Sequence, residues 1–364
     1  MRRTTLLAGL IAAAIGVSAA QAAERQLKVY NWSDYIAPDT LAEFTQETGI
    51  KVVYDVFDSN ETLDSKLATG QSGYDVVVPT NHFLAKQVRA GTYQKLDKTL
   101  LPNLKHLEPS VMKSLAAGDP GNIYSVPYMW GTNGIGINAT KVRALLGEDV
   151  PLDSWELIFN PKNTEKLAEC GISMLDSGDE VLPQVFTYLG IDPHSTKRED
   201  FDKASAQLMQ VRPHITYFHS SKFIADLANG DICMALGYSG DILQAAARAE
   251  EAGNTDEIIY IIPTQGTTMW ADLMAIPRDA KNVEEAHAFI NYLLRPDVIA
   301  KVTDYVAYAN ANKDATALVD ESIRNNPGVY PADDVLAKLY VAEERTPEVQ
   351  RWMTRDWTRI KSGR

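Results

Sequence analysis

Carboxylates stand beside aromatic rings in short, widely separated motifs along this chain. They are Trp32-Ser33-Asp34-Tyr35, Tyr238-Ser239-Gly240-Asp241 and Met269-Trp270-Ala271-Asp272. Glu180 and Tyr308 complete the set. Every one of these carboxylates except Glu180 lies within three residues of a Trp or Tyr. Aromatic faces attract ammonium groups. Carboxylates accept charge-assisted hydrogen bonds from them. If the motifs converge in one cleft, they form a receptor for an organic cation.

Each residue also has a plain structural use. Asp34 and Asp241 are placed to cap the helices that follow them. Glu180 pairs with Asp179 at a helix start, where negative charge is favoured. Trp270 and Tyr308 are the type of residue that fills a core, and Tyr238 fits a turn. Rival chemistries are weaker. Gly237-Tyr238-Ser239-Gly240-Asp241 approaches a nucleophile elbow but ends in Asp. His214 and His219 form no triad motif with it. Paired carboxylates suit a glycosidase, yet acids among aromatics also describe a cation cage. The histidines 82, 106, 194, 214, 219 and 287 have no metal-ligand spacing. The reading is therefore a binding protein rather than an enzyme, with no metal and no cofactor.

Residues 1–22 read as an export signal. Arg2 and Arg3 form the charged start, Leu6 to Val17 the apolar run, and Ala20-Gln21-Ala22 the small-residue cleavage pattern. The run is too short for a membrane anchor. No Cys follows it as a lipid attachment point. A soluble exported protein is expected, periplasmic in a bacterium with two membranes. The formal charge is −13, and removing Arg2 and Arg3 makes the mature chain more acidic still. Such a chain repels nucleic acid and anionic membrane and draws cations. The length suggests two domains, and 45% hydrophobic content supplies their cores. Cys170 and Cys233 are an even pair in an oxidising compartment, so a disulfide is the expectation and two free thiols the alternative.

The elements that must position the motifs begin as an alternation. Strands over Leu27–Trp32, Lys51–Phe57 and Tyr74–Pro79 are separated by helices over Pro38–Thr48 and Glu61–Ala68. That order predicts an open, mainly parallel sheet. The carboxyl ends of its strands, where ligands gather in open α/β sheets, deliver Trp32-Ser33-Asp34-Tyr35 and Thr80. The glycine-rich stretch Val126–Asn138 suits a strand crossing between lobes, and Glu257–Pro263 is a candidate second crossing. In the second block a strand over Ile232–Leu236 delivers Ser239 and Asp241. A strand over Ala271–Pro277 and a helix over Val283–Leu294 follow.

These segments resemble a known family. Val29-Tyr30-Asn31-Trp32-Ser33-Asp34-Tyr35, Tyr74-Asp75-Val76-Val77-Val78-Pro79, Pro127-Tyr128-Met129-Trp130-Gly131-Thr132, Tyr217-Phe218-His219-Ser220-Ser221, Leu227-Ala228-Asn229-Gly230-Asp231-Ile232-Cys233, Asn291-Tyr292-Leu293-Leu294-Arg295-Pro296 and Tyr308-Ala309-Asn310-Ala311-Asn312 carry the likeness. The chain is similar, over essentially its whole mature length, to the periplasmic putrescine- and spermidine-binding proteins of bacterial ABC uptake systems. The resemblance implies an α/β, two-lobed periplasmic solute-binding protein of type II. Its sheets would be mainly parallel, with a ligand cleft between lobes. It assigns residues 23–131 and 262–312 to the first lobe. Residues 132–261 and 313–364, with the C-terminal helices, go to the second. It implies a monomer that captures one polyamine and delivers it to an inner-membrane permease. A polyamine sensor without a transport role is the alternative.

The family's binding residues fall on Trp32, Ser33, Asp34, Tyr35, Thr80, Glu180, Tyr238, Asp241, Trp270, Asp272 and Tyr308, and its disulfide on Cys170 and Cys233. Asp241 and Asp272 would share one terminal ammonium, with Glu180 and Asp34 towards the other. Tyr238 stands where the putrescine type has Trp, Trp270 where it has Phe, and Thr80 where Ser is usual. The longer indole at position 270 tilts the expected preference to spermidine, with putrescine close behind.

Overall fold

The computed structural model describes residues 25–364. The export signal expected over residues 1–22 lies outside the described residues. The chain opens with strand β1 (Gln26–Trp32), helix α1 (Pro38–Thr48), strand β2 (Lys51–Phe57), helix α2 (Asn60–Ala68), strand β3 (Val76–Val77) and helix α3 (Asn81–Arg89). Local chemistry sets the ends. Pro38 starts α1 and Gly49 stops it in the left-handed region at φ 70°. The Ser59 hydroxyl accepts the Thr62 N–H at the start of α2. β1 pairs in parallel with β2 and β3, in a register that sets Trp32 beside Phe57. Both aromatics therefore leave the sheet at one edge.

The long strand β4 (Ser125–Asn138) joins the two lobes. In the second lobe β5 (Ile172–Met174) pairs in parallel with β6 (Tyr217–Phe218) and with β7 (Met234–Tyr238). β7 and β8 (Ile258–Ile261) flank the Asn133–Asn138 half of β4, both antiparallel. β9 (Thr268–Ala275) runs antiparallel along the Ser125–Thr132 half. β10 (Ala309–Asn310) adds to β4, and β11 (Tyr340–Val341) adds to β9. The strand order along the sheet is β2-β1-β3-β9-β4-β7-β5-β6. Among the described residues, every antiparallel strand pair contains β4 or β9; the parallel strands lie on either side of this seam.

Several elements differ from the sequence reading. β3 covers two residues instead of the stretch Tyr74–Pro79: the Asp75 N–H still bonds the Lys28 carbonyl, but the Lys28 N–H goes to a side chain, which ends the ladder there. The Asp75 carboxylate accepts backbone N–H groups of Lys28, Lys281 and Asn282. β7 starts two residues later than expected and includes Gly237 and Tyr238, since Gly237 lies against Gly134 of β4. The Glu257–Pro263 segment does not itself cross. Its β8 part stays beside the second-lobe half of β4, and the chain passes to the other half only where β9 begins at Thr268. A buried cluster around Trp155, Phe159, Phe186 and Phe201 fills the second lobe, and Phe44, Phe289 and Tyr292 back the first. Cys170 and Cys233 are bonded, their Cα atoms 5.5 Å apart, at the amino ends of the neighbouring β5 and β7.

Candidate functional site

The elements converge on a narrow cavity. Its wall is made of Trp32, Ser33, Tyr35, Phe57, Asp58, Thr80, Glu180, Ser220, Ser221, Tyr238, Asp241, Trp270, Asp272 and Tyr308. Trp32, Ser33 and Phe57 come from the carboxyl ends of β1 and β2. Thr80 immediately precedes α3 without capping it, and Tyr238 ends β7. Glu180 and Asp241 stand in the first turns of the helices Gly178–Tyr188 and Ser239–Glu251. Trp270 and Asp272 project from β9. Positions 270 and 272 share a face because strand side chains alternate. The polypeptide has little room there. A Cβ on Gly131 of β4 would sit 2.9 Å from the Ser239 hydroxyl and the rings of Trp270 and Tyr308.

Ring contacts connect the aromatic wall. Trp32 lies 4.7 Å from Phe57 and 6.3 Å from Tyr238, centroid to centroid. Tyr238 meets Trp270 at 5.6 Å, Trp270 meets Tyr308 at 5.4 Å, and Tyr308 meets Tyr35 at 5.1 Å. The Trp32 indole N–H is spent on the Val78 carbonyl at 2.9 Å. Its contribution to the cavity is therefore its ring.

The three buried carboxylates each keep one supporting donor. Asp272 accepts the Thr80 hydroxyl at 2.6 Å, and Thr80 is itself held by Asn60. The Tyr35 hydroxyl faces Asp272 without closing a well-formed hydrogen bond. Asp241 accepts the Tyr308 hydroxyl at 2.7 Å. Glu180 accepts the Asn133 side-chain amide at 2.6 Å, and Asn133 in turn accepts the Trp270 indole N–H at 2.9 Å. Loss of water pushes Asp241 and Asp272 up to about 7 and Glu180 to about 8. Neighbouring acids add to the rise at Glu180 and Asp241, while the hydrogen bonds oppose it. These groups take up protons near neutral pH unless a cation replaces them. The cavity is thus built for a slender, positively charged organic molecule with an apolar middle.

Ten of the eleven residues picked from sequence meet in this cavity. Asp34 does not. It has a positive φ of 55° and bonds Arg248 at 2.6 Å. Arg248 lies on the helix Ser239–Glu251, about two turns beyond Asp241, so Asp34 stands on the Asp241 side, where its charge adds to the rise that burial causes at the Asp241 carboxyl. Nor does Asp34 cap α1, whose first flanking residue is Ala37.

Residues 39–331 match the family of bacterial extracellular solute-binding proteins. The chain belongs to that family. Its relatives include the putrescine-binding periplasmic protein SpuD of Pseudomonas aeruginosa, 54% identical over 99% of this chain and 98% of its own. The putrescine-binding periplasmic protein PotF of Escherichia coli is 53% identical over 98% of both. The spermidine/putrescine-binding periplasmic protein of Salmonella typhimurium is 34% identical over 92% of this chain and 91% of its own. In structure, the spermidine/putrescine ABC transporter substrate-binding protein PotD of Streptococcus pneumoniae superposes with a TM-score of 0.73. It is 27% identical and covers 93% of this chain and 99% of its own. This solute-binding protein therefore has the two-lobed type II fold and is periplasmic. Among the described residues no helix is long and apolar enough to cross a membrane.

Sequence reasoning missed four residues of the cavity wall and the amide behind it. Phe57 ends β2 and Asp58 follows it, and Ser220 and Ser221 follow β6, both parallel strands. The carboxyl-end rule that located Trp32 and Thr80 would have found them too. Asn133 carried no local signal. It is an uncharged residue inside a strand, and only the packing of three elements gives it partners.

Proposed function

We propose that this solute-binding protein captures a polyamine between its lobes and hands it to an inner-membrane ABC importer without converting it. The carrying observation is the set Glu180, Asp241 and Asp272, drawn from both sides of one aromatic-walled cavity. An ammonium at each end of a short chain would replace the protons these carboxylates otherwise hold. Trp32, Phe57, Tyr238, Trp270 and Tyr308 would cover the methylenes between, and Ser33, Tyr35 and Thr80 would take remaining N–H groups. Cation–aromatic contacts contribute about 0.5–2 kcal/mol each. A micromolar complex needs roughly 8 kcal/mol in all, so a few such contacts with the paired charges are sufficient.

Relatives above half identity are named for putrescine, and those near one third for putrescine together with spermidine or cadaverine. This favours putrescine ahead of spermidine, against the tilt drawn from the size of Trp270 alone. We take the working unit to be a monomer. Isothermal titration with putrescine, cadaverine, spermidine and spermine tests the assignment. Binding is expected one to one and strongest for putrescine. Absence of heat with all four ligands at neutral pH would remove it. Radiolabelled putrescine uptake in a strain lacking the gene separates delivery from mere sensing, because only delivery predicts a loss.

A further inference from the structure

We infer that Trp270 acts on the ligand's Glu180 end indirectly, through the Asn133 side chain, as a positioning pair that fixes which Glu180 oxygen accepts. This deepens the polyamine reading of the cavity and rests on it. The indole Nε1–H lies 2.9 Å from Asn133 Oδ1, and Asn133 Nδ2 lies 2.6 Å from Glu180 Oε2. Asn133 is fully buried, and its backbone carbonyl is held by the Thr267 hydroxyl at 2.8 Å. An indole nitrogen only donates. It forces the amide oxygen towards Trp270, and the amide nitrogen must then face Glu180. That nitrogen also only donates, so Glu180 Oε2 is an acceptor and any proton on Glu180 is confined to Oε1.

The consequence concerns position 270. The resemblance places Phe there in the putrescine type, and a phenyl ring has no N–H. With Phe, only the long 3.4 Å bond from Asn133 Nδ2 to the Glu180 backbone carbonyl opposes a turn of the amide oxygen towards the Glu180 carboxyl, and that pairing requires a proton on Oε2. The indole thus does more than lengthen a wall. It keeps a donor trained on a carboxylate that its surroundings push towards neutrality. Those surroundings are burial first, then Glu61 of α2, Asp179 on the same helix and Asp272 of β9. The Tyr238 and Tyr340 hydroxyls also face Glu180, and both are raised by burial first and by its charge as well. Removing the indole N–H or the amide should have one and the same effect, because they act in series.

The test measures putrescine affinity from mildly acidic to mildly alkaline pH in wild type, Trp270→Phe, Asn133→Ala and the double variant. Each single variant should move the acidic fall-off upward by about one pH unit, a loss of about tenfold at neutral pH. The double variant should lose no more than the worse single one. An unmoved profile in Trp270→Phe, or losses that multiply in the double variant, would overturn the inference. Asn133→Asp serves if Asn133→Ala does not fold. It still accepts the indole N–H but sets a second carboxylate beside Glu180, so its profile should shift further. A ligand-free arm separates this idea from the polyamine reading. The Glu180 side-chain carbon, followed by NMR titration, should titrate higher in Trp270→Phe than in wild type even if no polyamine binds. Equal titration in the two proteins counts against the pair regardless of ligand.

Discussion

Asp241 and Asp272 show what a buried carboxylate demands at the scale of one residue. Each has one hydroxyl donor, from Tyr308 and Thr80, and among the described residues neither has a basic side chain bonded to it. A ligand ammonium supplies the missing charge. Asp241→Asn and Asp272→Asn should each weaken putrescine binding by about 2 kcal/mol or more, the scale for unpairing a buried charge. Titration calorimetry reads this directly, and wild-type affinity in either variant removes that residue from the site. The ionisation of the same groups gives a sign. They hold protons below about 7–8 in the ligand-free cavity. A cation binds the ionised form, so affinity should fall as pH drops through that range and protons should be released on binding. Calorimetry in buffers of different ionisation enthalpy would detect the released protons. Asp34 marks the limit of reasoning from residue type. Its neighbours in sequence, Trp32, Ser33 and Tyr35, line the cavity, yet its own side chain reaches Arg248 on the other lobe.

At the scale of elements, the crossing strand β4 and the disulfide have separate duties. Gly131 lets β4 pass under the two rings of Trp270 and Tyr308. Gly131→Ala should force those rings apart, with a stability loss of about 1–3 kcal/mol from overpacking. It should also cost affinity, because the displaced rings are cavity wall; thermal unfolding and titration of the same variant check both. Cys170 and Cys233 close a segment with a sequence separation of 63 residues behind β5 and β7. Neither borders the cavity. Replacing both by Ser should cost about 4 kcal/mol of stability in the loop-entropy account and leave affinity within about twofold. A large affinity loss with little change in denaturant midpoint would reverse that assignment.

At the scale of the whole molecule, the carboxylates are expected to govern lobe closure. The described state is closed around Glu180, Asp241 and Asp272, and further ties join the lobes at Glu61–Ser177 and Asp34–Arg248. The second tie is half exposed and contributes about 0–1 kcal/mol. Opening returns the carboxylates to water, where their pKa values are ordinary. Closure raises them, so the closed state is favoured at acid pH, and that advantage is lost as pH rises through about 7–8. Ligand-free protein should therefore open as the solution becomes alkaline, and putrescine should close it again. Small-angle scattering should show the radius of gyration growing with pH only when ligand is absent. A radius independent of both pH and ligand would contradict this account.

Much of this protein was legible along the chain. The alternation from Leu27 to Thr80 is a local pattern of period and turn chemistry, and it foretold the parallel strands whose ends carry Trp32 and Thr80. The Pro38 and Gly49 boundaries of α1 rest on backbone sterics within a few residues, so they needed no partner. The motif residues Asp241, Trp270 and Asp272 could be chosen because acids stand near aromatics there and the family resemblance falls on the same positions. Only the tertiary structure decided the rest. It set β9 against β3 and β4, which brought residues 80 and 272 within a hydrogen bond across a gap of 192 positions. It turned Asp34 away to Arg248. It made Asn133 the link between an indole and a carboxylate. Hydrogen-bond partners and loss of water are properties of places where distant segments meet, and no local pattern in the chain encodes which segments those will be.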